Sequence, residues 1–171
     1  MVMIDASPNR LASRLPLPPV PLAAAALAIQ RLSGRGRPVT KASSVLAGIF
    51  LAGSVWSITG AIAEFRRQRT TVNPVEVGAA SLVTSGPNRV TRNPMYVGMA
   101  GILISHALLR RSPMALLAAM LFVAAIDRLQ IPVEEALLRD RFGSDFDTYA
   151  RTTPRWISPG GLQWCAARGQ S

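Results

Sequence analysis

The chain has 171 residues, 49% of them hydrophobic and 16% charged, with a formal net charge of +10. Soluble domains carry roughly 25% charged residues, and here the charges come in blocks between long uncharged runs, which argues against a soluble domain. The 18 arginines and single lysine flank those runs instead of lining one face, which argues against a nucleic-acid partner; one cysteine, Cys165, and one histidine, His106, preclude an intramolecular disulfide and leave no basis for a Cys/His metal site, so no metal is expected.

Four apolar segments follow one another. The first, about residues 15–30, reads LPLPPVPLAAAALAIQ, with its prolines at the N-terminal end where a helix tolerates them. It is short for a membrane span, and Arg10 and Arg14 precede it, so a signal segment is the alternative reading. The second, Ala42 to Ala63, is 22 residues without a charge, long enough for a hydrocarbon core of about 30 Å at about 1.5 Å per residue. Its Gly48, Ala52, Gly53, Ser57 and Gly60 form a small-residue set of the kind that lets helices approach closely in lipid, and this set also permits a dimer. Trp56 reads as a packing residue.

The third segment, Met95 to Leu109, and the fourth, Pro113 to Ile126, are separated only by Arg110, Arg111 and Ser112. Two short helices with so tight a link make a helical hairpin, with the arginines snorkelling to the interface. His106 reads as a packed or lumen-facing polar residue. From Gln130 onward the chain is too polar to span. IPVEEALLRDRFG predicts a helix opening at Pro132 and stopping at Gly143. Ser144, with Asp147 three residues on, fits an N-cap for the next helix. Trp156 and Ile157 suit a membrane interface, and Cys165 has no visible base partner.

These elements predict an all-α integral membrane bundle of about four transmembrane helices, the last two a hairpin, under a cytosolic C-terminal helical cap. Residues 1–68 carry the first two spans. Residues 69–171 divide into a loop (69–94), helices near 94–109 and 113–131, a cap (132–157) and a tail (158–171). Thirteen of the 19 basic residues fall on the two ends and the middle loop, and six on the first loop and hairpin tip. By the positive-inside rule both termini are cytoplasmic, with a bacterial inner membrane as the setting.

The hairpin brings the loop's end, near Tyr96, beside the start of the cap, near Gln130. Local rules offer bland accounts of the acids there. Glu134 and Glu135 sit in the first turn of the predicted helix, where its dipole favours them, and Glu135 precedes Arg139 by four residues. Arg89 and Arg92 fit as interface anchors, Tyr96 as a belt residue and Pro94 as a helix start.

LVTSGPNRVTRNPMYVG, followed about forty residues later by EEALLRDRFGSDFDTYARTTPRW, resembles the isoprenylcysteine carboxyl methyltransferase family and its broader kin, which include the phospholipid methyltransferases. The resemblance covers about residues 70–157; the first two spans carry no family signature. It implies S-adenosylmethionine-dependent methyl transfer to a lipophilic small molecule or lipid at the cytoplasmic membrane face. It places Leu82, Val83, Asn88, Asn93, Pro94, Met95, Tyr96 and Glu134 at the cofactor. It places Gln130, where isoprenylcysteine enzymes carry a substrate-binding arginine, on the acceptor side, and Glu135 and Arg155 are assigned there with it. Arg89, Arg92 or Arg155 is the expected partner of the methionyl carboxylate. Arg92, Tyr96 and Glu134 are the catalytic candidates.

Two departures from the family pattern stand at Asn88, where relatives have tyrosine, and Asn93, where they have histidine. Two other classes of function fit less of the chain. One is a non-catalytic membrane scaffold, which the two asparagines would suit. The other is an NADPH-dependent steroid-reductase-like enzyme, whose motif places an acid where Met99 stands.

Overall fold

The structure is a computed structural model that describes residues 18–34, 36–68 and 81–157. Arg10, Arg14, residues 15–17, Arg35, the loop 69–80 and the tail 158–171 with Cys165 lie outside the described residues. Within them the chain is all-helical: α1 (Pro19–Leu32), α2 (Lys41–Arg67), a 3-10 turn (Gly86–Arg89), α3 (Pro94–Arg110), α4 (Pro113–Ala125), a π-turn (Ile126–Gln130), α5 (Ile131–Phe142) and α6 (Ser144–Thr152). Proline stands in the first turn of α1, α3 and α4, where its missing N–H costs nothing. Helix α2 opens instead on a reciprocal cap between Thr40 and Ser43.

The helix expected to open at Pro132 does not start there. Helix α4, the π-turn and α5 form one continuous rod of 30 residues, Pro113–Phe142. Pro132 has no N–H, and its ring crowds the carbonyl four residues back, at Arg128. The rod widens into the π-turn just upstream instead of breaking. It ends at Gly143 (φ 50), as expected. Ser144 is the first residue of α6 and makes no cap, and Asp147 is taken by Arg139 at 2.8 Å.

Helices α2 and α3 pack through hydrogen bonds and small residues. Ser57 Oγ donates to the Pro94 carbonyl (2.7 Å), and Ser105 Oγ to that of Ala47 (2.8 Å). Between these bonds Gly98 and Gly101 admit α2: a Cβ on Gly101 would stand 2.2 Å from Ser54 Oγ, and one on Gly98 would stand 2.4 Å from Ile58 Cγ1. The small residues that make the contact are thus partly on the other helix from those expected. Ser57 and Gly60 do pack, but Ala52 is exposed, and Gly48 and Gly53 face open space. Gly101→Leu should therefore destabilise the protein by about 1–3 kcal/mol or more, the usual cost of overpacking. Gly48→Leu should leave it unchanged. Thermal unfolding in detergent compares the two.

Trp56 is not a packing residue within the chain; it is 55% exposed, in an outward belt with Leu46, Ile49 and Val55 of α2. A belt of this kind on monomeric helices marks a surface made for something other than water. Helix α2 and the 113–142 rod are long and apolar enough to cross a membrane; α1 and α3 are shorter.

At the far end, the hairpin tip is tied to the last turn of α1 and to the loop that follows it. Arg110 reaches the Arg31 carbonyl (3.1 Å), and Arg111 that of Pro38 (2.7 Å). Fully buried Gln30 donates to the carbonyls of Leu103 (3.0 Å) and Ala115 (2.7 Å), and its Oε1 meets His106 Nδ1 at 2.8 Å. Both amide hydrogens of Gln30 are used, so His106 Nδ1 is the donor to that oxygen. Helix α1 is thus pinned to α3 and α4 as part of the bundle.

Candidate functional site at the hairpin base

At the opposite end of the bundle, the first turn of α3 meets the π-turn and the first turn of α5. Tyr96 Oη donates to Glu134 Oε1 (2.5 Å), and Gln130 Nε2 donates to the same oxygen (2.9 Å). Tyr96 is 8% exposed and Gln130 4%. Gln130 Oε1 is buried and has no hydrogen-bond partner among the described residues. Phe122, Ile126, Gln130 and Glu134 recur every four residues. The π-turn, which needs more than the α-helical 3.6 residues per turn, helps keep this spacing on one face. Because the rod is continuous, Glu134 has no exposed helix N-terminus beneath it, and the dipole account of this acid falls away.

Glu135 belongs to a separate ion cluster. It accepts from Arg92 Nη2 (2.6 Å) and from Arg155 Nε and Nη2 (2.9 and 2.6 Å). Arg139, its expected local partner, pairs with Asp147 instead. Arg92 Nη1 donates to the carbonyls of Ala150 (2.8 Å) and Thr153 (2.5 Å), satisfying carbonyls at the end of α6. Arg92 thus spends both terminal nitrogens on Glu135 and the cap, while its buried Nε has no hydrogen-bond partner among the described residues. Arg155 keeps 37% of its side chain exposed, against 12% for Arg92.

Residues 153–157 lie as a strap across the base of α3. Arg92 N donates to Pro154 O (2.8 Å), while Thr91 Oγ1 (2.5 Å) and Asn93 Nδ2 (3.2 Å) both donate to Arg155 O. Trp156 Nε1 closes the strap onto Asp127 Oδ1 of the π-turn (2.8 Å). Tyr149 Oη donates to Asn88 O (2.7 Å), and burial raises its phenol above the usual range, which keeps it a donor. Asn88 is itself buried, and its amide turns back to Ser85 O (3.3 Å). Pro94 gives its carbonyl to Ser57. Val83 is buried, and Leu82 and Met95 are half-buried.

Of the residues named from the sequence, hydrogen bonds gather two clusters, Tyr96–Gln130–Glu134 and Arg92–Glu135–Arg155, with Asn93 beside the second; Leu82, Val83, Asn88, Pro94 and Met95 belong to neither. Sequence reasoning missed Tyr149 and the end of α2. There, Glu64 accepts a short hydrogen bond from Ser85 Oγ, Gln68 Nε2 donates to Ser85 Oγ (3.1 Å), and Ser81 Oγ donates to Gln68 Oε1 (3.1 Å). One signal was present: an acid in the last turn of a helix, beside Arg66 and Arg67, opposes the helix dipole.

The phospholipid methyltransferase family model matches residues 42–145, which hold α2, the hairpin and both acids of the site. The chain belongs to the phospholipid methyltransferase family. The match begins at the start of α2, so the second apolar segment carries family signal, contrary to the expectation that the first two carry none. An uncharacterized protein of Haemophilus influenzae is 30% identical over 63 residues, which is 37% of this chain and 100% of that protein. No solved structure matches the chain. Membership in the phospholipid methyltransferase family makes this a methyltransferase associated with membrane lipids, and a steroid-reductase-like activity loses its ground.

Proposed function

We propose that the protein transfers a methyl group from S-adenosylmethionine to a lipophilic or membrane-embedded acceptor, at a site built on Tyr96, Gln130 and Glu134. The observation that carries this reading is their convergence at the hairpin base, the polar end of an otherwise apolar bundle. The residues suit the donor. Its amine and ribose hydroxyls are hydrogen-bond donors, and the site offers the Glu134 carboxylate and the unpartnered, buried Gln130 Oε1 as acceptors. Its carboxylate needs a cation, and Arg155 is the more exposed of the two guanidiniums on Glu135.

When bound, S-adenosylmethionine supplies an electrophilic methyl group on a sulfonium. The chain's part is to bind, orient and exclude water, and such positioning can account for most of the acceleration. Tyr96 adds an apolar face and holds Glu134 in one orientation. An acceptor that must lose a proton has three acids nearby. Glu135 is held by two arginines and Asp127 by Trp156, whereas Glu134 has two neutral partners, so Glu134 is the acid placed to take it. The described cluster around Glu134 contains no cation, and Gln130 stands where an arginine binds substrate in isoprenylcysteine enzymes. Both features favour an acceptor bearing N–H or O–H over a carboxylate.

Helices α1 and α3 complete, with α2 and α4, a four-helix membrane bundle under the cytosolic α5–α6 cap. The arginine ties between the hairpin tip and the first loop support pairing those two on one side, with both termini and the site on the cytoplasmic side of a bacterial inner membrane. Calorimetric titration of the purified protein with S-adenosylmethionine should show saturable, one-site binding. A folded protein that binds none would leave the scaffold reading in its place.

A further inference from the structure

We propose that Glu64, in the last turn of α2, is a positioning residue for the donor site, acting through Ser85. The inference rests on the donor-site reading above. Glu64 is unfavourably placed in two respects: its side chain is only 16% exposed, and it sits at the carbonyl end of a helix. Arg67, at 3.5 Å and 79% exposed, gives it little in return. Its substantial partner is the short bond from Ser85 Oγ.

That bond belongs to a clamp in step with the helix. Gly60, Glu64 and Gln68 lie four residues apart on one face of α2. At the first step Pro87 fills the space a side chain would take: a Cβ on Gly60 would stand 2.6 Å from Pro87 Cγ. At the second, Gly86 (φ +59) lies so close that its Cβ would stand 2.7 Å from Glu64 Cγ, and Ser85 bonds the carboxylate. At the third, Gln68 bonds both Ser85 and Ser81. The clamped stretch carries Leu82 and Val83 and runs into the 3-10 turn, whose first bond is Asn88 N to Ser85 O (3.2 Å). Pro87 O then accepts from Thr91 N (3.2 Å), and Thr91 Oγ1 accepts from Asn93 N (3.1 Å), one residue before α3 begins. Ser85 thus sets the register of the backbone that leads to Tyr96, and Glu64 sets Ser85.

The test is S-adenosylmethionine affinity, titrated on the full chain below the unfolding transition of every variant. Glu64→Ala and Ser85→Ala should each weaken binding about ten-fold, and the double variant should be no weaker than the weaker single one, because both remove one bond. Glu64→Gln keeps an oxygen for Ser85 Oγ and should stay within about two-fold of the parent. A purely structural role would lower the unfolding temperature and leave these affinities equal, which overturns the proposal. Equal losses in Glu64→Gln and Glu64→Ala also overturn it, since the charge itself would then be acting on the ligand. A parent chain that binds no S-adenosylmethionine defeats the donor-site reading, and this inference with it.

Discussion

Glu134→Ala should weaken S-adenosylmethionine binding by about 2 kcal/mol, roughly thirty-fold, and take methyl transfer to background. The magnitude is that of a hydrogen bond to a charged group in a buried setting. The substitution also takes the shared acceptor from Tyr96 and Gln130, two buried donors, so some stability should be lost with it. Glu134→Gln separates the effects. An amide oxygen can still accept from both neighbours, so the unfolding temperature should stay near the parent's while donor affinity falls about ten-fold with the charge. Calorimetry on both variants, with unfolding followed in parallel, checks the pair. Unchanged affinity in both would assign Glu134 to holding α3 against α5 and nothing more.

Arg92→Ala should destabilise the protein by about 3 kcal/mol or more, the scale for removing one partner of a buried ion pair. Both Arg92 and Glu135 have side chains only 12% exposed. The change also strips the carbonyls of Ala150 and Thr153 of their donor, so α6 and the strap should loosen first. Arg155 still covers Glu135, which keeps the loss from being larger. Arg92→Lys should recover only part of it, because a point charge cannot reproduce a planar fork that serves a carboxylate and two carbonyls together. Thermal unfolding gives the magnitude, and hydrogen exchange across 144–157 locates it.

Much of the architecture was legible from local rules. Prolines at helix starts, the charge-free run of α2 and the two-arginine link of the hairpin each specify an element without reference to any partner. The meeting of Tyr96 with Glu134 followed from the hairpin, since a chain that turns back at Arg111 must bring its two ends together. The illegible parts depend on what packs against what. Glu135 looked paired with Arg139 because spacing rules see only neighbours four residues away, yet two distant arginines outcompete that pairing. Gly48 and Gly53 looked like the close-approach face, but which side of α2 is buried is decided by Gly98 and Gly101 on α3. Pro132 reads as a helix start from sequence, and only a π-turn upstream lets the rod run through it. Glu64 gave a local signal of misfit with the dipole, but its partner Ser85 lies 21 residues on, beyond any local rule.

The most direct test of a donor site at the hairpin base is transfer itself. The full chain is reconstituted with total bacterial lipid and given S-adenosylmethionine labelled at its methyl group, and the lipid extract is followed by mass spectrometry. Label should appear in a lipid-soluble product with the parent chain and vanish with Glu134→Ala. A folded, donor-binding parent that labels no lipid, or a Glu134→Ala variant that labels as much, would contradict it.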